Sequence, residues 1–424
     1  MDRFNPISTN ETVMPALYQR SYELKAQAAR TEPTILARPG ILGGHLATAE
    51  KHPIFAERAS GAFVYDVDGN KYLDFILAFG SVVLGHCDPE VDEAVIRDIR
   101  RGISPTLLAK THIRLAELVV ECIPGAEMAT FLRSGSDGTS AAVRLARAIT
   151  GRRHVRRWGY QGWHDWCAPR AAGIPGEIRE LTALIEYNNL PGLETELRNN
   201  DVACVIMMPL EVDMPNGDYL TGVQDLCRHY GTVFILDEVR SGFRINLGGA
   251  QAHFGVRADL AVFSKAMANG YAVSAIAGKS QLMEQVRNIS MSSVFFRSSD
   301  GMAAATATIE RLQRNEVIPR LWQLGRRLLA GIQAAATSSG VPAIAVGIPP
   351  MPHVRFQYDS QEQNIRGMQI LCQEMLSRGI LLHPDHHWFV CAAMTDADID
   401  KAVSDFHSSF REVALQSKAA VVGR

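Results

Sequence analysis

The chain has 424 residues, 47% of them hydrophobic and 21% charged, with a formal net charge of −2. This is the balance of a globular protein long enough for one large α/β domain and a satellite, and it excludes a strongly basic surface made for nucleic acid or anionic membrane. Seven cysteines are dispersed with no C-x-x-C pair, the first residues show no basic stretch followed by an apolar run, and no window holds 18 uninterrupted apolar residues. The expectation is a cytoplasmic protein with reduced thiols and no membrane span.

In chain order, residues Val13 to Ala37 are charged, Ala-rich and helix-like, and a Pro39-Gly40 turn follows. The stretch GAFVYDVDGNKYLDF (61–75) alternates apolar and polar residues around Asp68-Gly69, a hairpin signal. From about residue 105 to 310 helical segments alternate with short apolar runs: MATFL, ACVIMM, TVFILDEV, DLAVFS and SAIAG. Near-continuous apolar strands between helices imply a parallel sheet covered on both faces. Residues 317–339 read as a helix, and HVRFQY and GILLH as strands. The expected organisation is a large central domain (76–315), with residues 1–75 and 316–424 contributing to a smaller α+β domain.

FILDE, ending at Glu238, resembles the acidic strand of a nucleotide hydrolase, and AGKS (277–280) resembles the end of its phosphate loop. That loop needs an earlier glycine where Val273 stands, and the order of the two motifs is reversed. A different combination fits better. Lys265 directly follows an apolar strand, where partial burial favours a neutral, nucleophilic amine over a solvated ammonium. LRSGSDGTSAAVRLARAITG (132–151) runs a strand into small residues at a helix start, whose free N–H groups suit an anion or, more plainly, a Ser/Asp cap. WGYQGWHDW (158–166) offers aromatics that either cover a planar cofactor or pack the core. Asp237 closes its strand, where a carboxylate could pair with a protonated ring nitrogen. An anion cup, a stacking ring, a carboxylate and an amine are the four requirements of pyridoxal 5′-phosphate (PLP). The basic cluster RRHVRR (152–157) reads as a solvated face. His383, His386 and His387 lack a companion Glu or Cys at ligand spacing and read as a loop lining the substrate entrance, not a metal site.

Together, SGSDGTSAAVRLARAITGR, GYQGWHD, ILDEVRSGFR and DLAVFSKAMANGYAVSAIAGK resemble the class III aminotransferases, in particular their glutamate-1-semialdehyde aminomutase-like branch. GAFVYDVDGNKYLDF with VLGHCDPEV resembles the N-terminal signature of that family. The resemblance implies fold type I, an α/β large domain with a mostly parallel seven-stranded sheet, and a homodimer with active sites at the subunit interface. It implies Lys265 as the Schiff-base lysine and Asp237 as partner of the pyridine nitrogen. Ser134, Gly135, Ser136 and Val239 would contribute to the cofactor site, and Tyr160 would stack on the ring.

The departures from the family pattern concern the substrate. Gln161 stands where the stacking loop usually has His, and Met208 replaces a Glu before Pro209 that helps set amino-donor chemistry; Glu211 lies close by without aligning. SSVFFRSSDGMAAA replaces the segment that sends a phosphate ligand across the dimer, leaving Ser292, Ser293 or Arg297 for that task. Gln161, Met208, Glu211 and Arg297 are thereby the candidate substrate residues. A narrower resemblance is to aminoglycoside-biosynthesis enzymes acting at the 6′-position of neamine- and gentamicin-type sugars. It implies transamination of an amino-sugar amine or aldehyde with a small-molecule amino donor. Epimerisation, elimination on a phosphorylated aminoglycoside, or a glutamate-1-semialdehyde-type aminomutase reaction are the alternatives.

Overall fold

The computed structural model describes residues 18–33, 52–198, 201–314 and 316–422. Among the described residues thirteen strands form three sheets. β1 (Ala56–Ser60), β2 (Phe63–Asp66) and β3 (Lys71–Asp74) form an antiparallel meander. The main sheet comprises β4 (Met128–Leu132), β5 (His154–Trp158), β6 (Thr182–Leu184), β7 (Val202–Met207), β8 (Val233–Asp237), β9 (Leu260–Phe263) and β10 (Ser274–Gly278). β11 (Ala343–Ile348) and β12 (Met351–Phe356) make a hairpin, and β13 (Ile380–Leu381) joins the first sheet parallel to β3.

The main sheet has seven strands in the order β4-β10-β9-β8-β7-β5-β6. β10 runs antiparallel to both its neighbours, and the other ladders are parallel. Every residue of β7, β8, β9 and β10 is buried. The pleat sends alternate residues to opposite faces. Cys204, Ile206, Val233 and Ile235 pack with Ala142 and Leu145 of the helix Gly135–Thr150. Val205, Met207, Phe234 and Leu236 pack with Val223 and Cys227 of the helix Tyr219–Tyr230. Both faces are therefore covered, as the apolar strands require.

The hairpin expected around Asp68-Gly69 connects β2 to β3, with Gly69 at φ +88°. The Asp66 carboxylate fixes the turn by accepting from the N–H groups of Asp68 (3.0 Å) and Asn70 (2.8 Å). Asp68 in turn accepts from the N–H groups of Arg20 and Ser21 at the start of the N-terminal helix Gln19–Ala28; of the Val13–Ala37 stretch, the residues before Tyr18 and after Pro33 lie outside the described residues. Its C-terminal end closes in a turn on the Ala28 carbonyl, and the Pro39-Gly40 turn lies outside the described residues.

One expectation is corrected here. The basic cluster 152–157 is not a solvated face, because β5 inserts it between β6 and β7 with Val155 fully buried. Arg152 donates to the Tyr230 carbonyl (2.9 Å), and Arg157 to the Gly159 carbonyl (2.9 Å) and the Gln161 side chain (3.1 Å). Their guanidinium heads thereby bond to protein oxygens instead of facing only water. AGKS likewise is no phosphate loop: Lys279 pairs with Asp259 (2.9 Å), and Ser280 donates to Glu127.

The chain beyond β13 bonds back to the end of β3 and to β12. Phe389 N–H donates to the Phe75 carbonyl (2.7 Å) and Trp388 N–H to that of Pro352 (3.1 Å). Arg244, fully buried, donates to the carbonyls of Val390 (2.8 Å), Gly80 and Val82 (both 3.0 Å). One guanidinium thus ties three segments together with charge-assisted hydrogen bonds.

Candidate active site

A cavity of about 730 Å³ opens at the C-terminal ends of β8 and β9. Open α/β sheets place ligands at such strand ends. Lys265 begins a short turn after β9 with a left-handed backbone (φ +48°), and Leu77, Ala78 and Phe79 opposite it are consecutively left-handed (φ +46° to +56°). Such backbone strain in side-chain-bearing residues gathers at functional sites. Ala78, Phe79 and Lys265 all line the cavity.

Burial is the main force on the Lys265 amine, and the nearby Arg240 guanidinium adds to it; together they push its pKa down to about 7 against the counter-pull of Asp237. Asp237, at the last position of β8 and 3% exposed, is pushed up to about 6, chiefly by burial. Its carboxylate accepts from Val239 N–H (3.1 Å). Glu238 points the other way, where Ser241 Oγ and the N–H groups of Ala250 and Gln251 satisfy it. Of the two adjacent acids only Asp237 faces the cavity.

Ser134 caps the helix Gly135–Thr150 through a capping box with Asp137, and its hydroxyl already donates to that carboxylate (2.7 Å). It does not line the cavity, whereas Gly135 and Ser136 do. A side chain at Gly135 would run into Val239, and one at Gly162 (φ +115°) would meet Ser136. The absence of these side chains leaves a cradle at a helix N-terminus. Tyr160 lines the cavity with 57% of its surface exposed, and its N–H approaches Met208 Sδ (3.3 Å). Gln161 is 1% exposed; its amide donates to the Trp158 carbonyl (2.6 Å) and its oxygen accepts from Arg157, so its polar atoms serve its own loop.

Met208 and Glu211 also line the cavity. Ser292, Ser293 and Arg297 do not; Ser293 caps the turn Val294–Arg297, on the surface. His386 and His387 reach the cavity wall, and among the described residues no three His, Cys, Asp or Glu side chains group as a metal site.

The structure adds residues that sequence reasoning passed over. Thr139 Oγ1 donates to the Gln161 carbonyl (2.6 Å), fastening the aromatic loop to the helix. His353 and Asp385 join the wall from the hairpin β11–β12 and the C-terminal segment. Arg240 matters most, at 8% exposure, held by Glu211 (2.9 Å) and by His387 Nδ1 (2.6 Å). Its signal was adjacency, since it follows ILDEV directly.

The donor set fits PLP on the structure's own terms: a cradle with helix N–H groups for a phosphate, a buried carboxylate for a ring nitrogen and a desolvated amine for an aldehyde.

The Aminotransferase class-III family matches residues 46–160 and 176–410. The chain is 37% identical to the 3-aminobutyryl-CoA aminotransferase of Cloacimonas acidaminovorans (strain Evry), over 93% of this chain and 97% of that one. It is 32% identical to the glutamate-1-semialdehyde 2,1-aminomutase of Heliobacterium modesticaldum (strain ATCC 51547 / Ice1), over 96% of this chain and all of the other. Among solved structures it resembles the PLP-bearing FumI protein of Sphingopyxis sp. MTA144, with a TM-score of 0.88, 28% identity and coverage of 94% and 97%.

Proposed function

The chain belongs to the class III aminotransferases, enzymes that use PLP, and from that premise we propose that it moves an amino group between an amino sugar, at a 6′-amino or 6′-oxo position, and a small-molecule amino donor or acceptor. The observation that carries the chemistry is the pairing of Lys265 and Asp237 at the ends of adjacent parallel strands, both facing one cavity. When bound, PLP supplies an aldehyde that captures the amine and a protonated ring that draws electrons from the adjacent carbon. Gly135 and Ser136 would hold its phosphate through backbone N–H groups, Asp237 its ring nitrogen, and Tyr160 its face. Lys265 Nζ, uncharged in about half of the molecules near pH 7, is the base that takes the proton from the carbon bearing nitrogen and returns it.

The wall beyond Lys265 supports the amino-sugar reading. Its cation, Arg240, is already paired with Glu211, Asp385 adds a second carboxylate, and burial holds His353 and His386 neutral with their pKa values pushed down to about 4 and about 3. Such a wall suits a polyhydroxylated, cationic molecule. A second reading, amination of a 3-oxoacyl thioester, is favoured by the identity to the 3-aminobutyryl-CoA enzyme. Mass spectrometry of products from aminoglycoside intermediates and from a 3-aminobutyryl thioester, each with and without a keto acid, separates the two. Turnover of only the thioester overturns the sugar assignment. Replacement Lys265→Ala is expected to cut turnover at least about a thousandfold and to remove the absorbance of the lysine-linked cofactor. Retention of both would sink the family mechanism in this chain.

A second copy of the chain is the proposed partner. Leu107 (81% exposed), Leu108 (64%), Val294 (68%) and Phe295 (61%) form apolar surface on two segments joined by the hydrogen bond from Ser299 N–H to the Ile103 carbonyl (2.7 Å). Ser292, Ser293 and Arg297, on and beside the same turn, would be the residues offered to the cofactor phosphate of that second copy. A monomer by sedimentation velocity at micromolar concentration would contradict this arrangement.

A further inference from the structure

Lys265 opens a short turn, Lys265–Ala268, on the way from β9 to β10. Both ends of that turn are strained: Lys265 has φ +48°, and Asn269, just past it, has φ +46°. Ala266, Met267 and Ala268 between them are fully buried. Across the cavity the chain passes from the left-handed run 77–79 into residues 80–85, which belong to no strand. Buried backbone groups outside any ladder must find their partners elsewhere. Two side chains supply most of them here. Arg244 donates to the Gly80 and Val82 carbonyls. Asn269, 7% exposed, makes three more bonds: its Oδ1 accepts from the N–H groups of Val83 and Leu84 (both 2.9 Å), and its Nδ2 donates to the Gly85 carbonyl (2.9 Å).

One side chain therefore fastens the lysine turn to the segment that leads out of the facing wall. A left-handed position favours glycine, and asparagine is among the few side-chain-bearing residues that tolerate it. Glycine would relieve the strain at position 269 but make none of the three bonds. We propose that Asn269 is the positioning residue of the catalytic amine: by docking its turn on residues 83–85 it keeps Lys265 in its left-handed backbone and its amine in the cavity shared with Asp237. The rest of the loop is held independently, by Ser264 Oγ donating to the Val273 carbonyl (2.7 Å) and Tyr271 Oη to Asp92 (2.9 Å). Loss of the Asn269 bonds thus loosens the turn while β9 and β10 stay in place. The inference rests on the reading of Lys265 as the amine that captures PLP.

The test follows capture of PLP by the cofactor-free whole chain, in which the Lys265 amine joins the cofactor aldehyde and one water leaves, through the absorbance of the lysine-linked cofactor. Measured against PLP concentration, half-saturation reports the cradle and the limiting rate reports the amine. Asn269→Gly keeps the left-handed backbone accessible and removes the three bonds. Its limiting rate is expected to fall about 10- to 100-fold at an unchanged half-saturating concentration, because a small misplacement of a reacting group costs that much. Asn269→Asp has nearly the same shape, keeps the acceptor for Val83 and Leu84 and loses the donor to Gly85, and should recover part of the rate. A merely structural tether predicts a lower melting temperature with the wild-type limiting rate, and that result overturns the proposal. So does a loss confined to half-saturation. Should the Gly variant fail to fold, the Asp variant decides: a reduced limiting rate supports the proposal and a wild-type one overturns it. Wild-type protein that captures no PLP, or Lys265→Ala that captures it equally fast, overturns the reading of Lys265 itself and this inference with it.

Discussion

The cavity has two walls that differ in construction. One is the mouth of the main sheet, where Asp237, Lys265 and the Gly135–Ser136 cradle sit on the ends of β8, β9 and the helix after β4. The other is assembled from distant pieces: Glu211 and Arg240 from loops, His353 from a hairpin strand, His386 and His387 from the returning C-terminal segment. On the sheet wall each polar side chain is placed by its own strand or helix cap. On the second wall placement comes from side chains holding one another, Glu211 to Arg240 to His387. The first arrangement suits chemistry common to many substrates, and the second suits recognition of one substrate, because loops and interlocked side chains vary without disturbing the sheet.

If that division is right, damage to the sheet wall lowers the rate for every amine alike. The larger effect is expected from Asp237→Asn, which removes the carboxylate but keeps its size. Turnover should fall about a hundredfold or more with an amino-sugar substrate and with a 3-aminobutyryl thioester alike, while the preference between them stays as in the wild type. A loss of preference in this variant would mean that the two walls act as one unit. A smaller effect concerns pH. Burial and Arg240 favour the uncharged Lys265 amine, whose pKa lies at about 7, so its neutral fraction grows as pH rises through that value. Capture of free PLP by cofactor-free protein, followed by absorbance, should accelerate about tenfold from pH 6 to pH 8 and then level off. An ordinary solvated lysine would continue to accelerate to about pH 10. Continued acceleration past pH 9 would show that neither burial nor Arg240 lowers the pKa of the lysine.

The same division explains how far the sequence could be read. The buried strands were legible because β7, β8 and β9 are apolar on both faces. Their ends could then be located to the residue, which singled out Asp237 and Lys265. The helix start after β4 was legible from its small residues, although both anion cup and cap were open readings, and the structure shows Ser134 as the cap and Gly135 and Ser136 at the cavity. RRHVRR was misread because four arginines obscured the buried Val155, and the strand character came from its place between β6 and β7. Arg240 was passed over because nothing in the spacing of ILDEVR tells whether the arginine turns outward to water or inward to Glu211 and His387.

The sequence by itself pointed to the family and its cofactor through motifs that resemble the class III aminotransferases, and it located Asp237 and Lys265, because strand ends and a helix start are local patterns of apolar and small residues. Only the tertiary structure decided the second wall. Glu211, Arg240, His353 and His387 come from four separated stretches, and His387 Nδ1 meets a guanidinium 147 positions earlier in the chain. A long-range contact of that kind leaves no periodicity to read, so it becomes visible only when the segments are brought together.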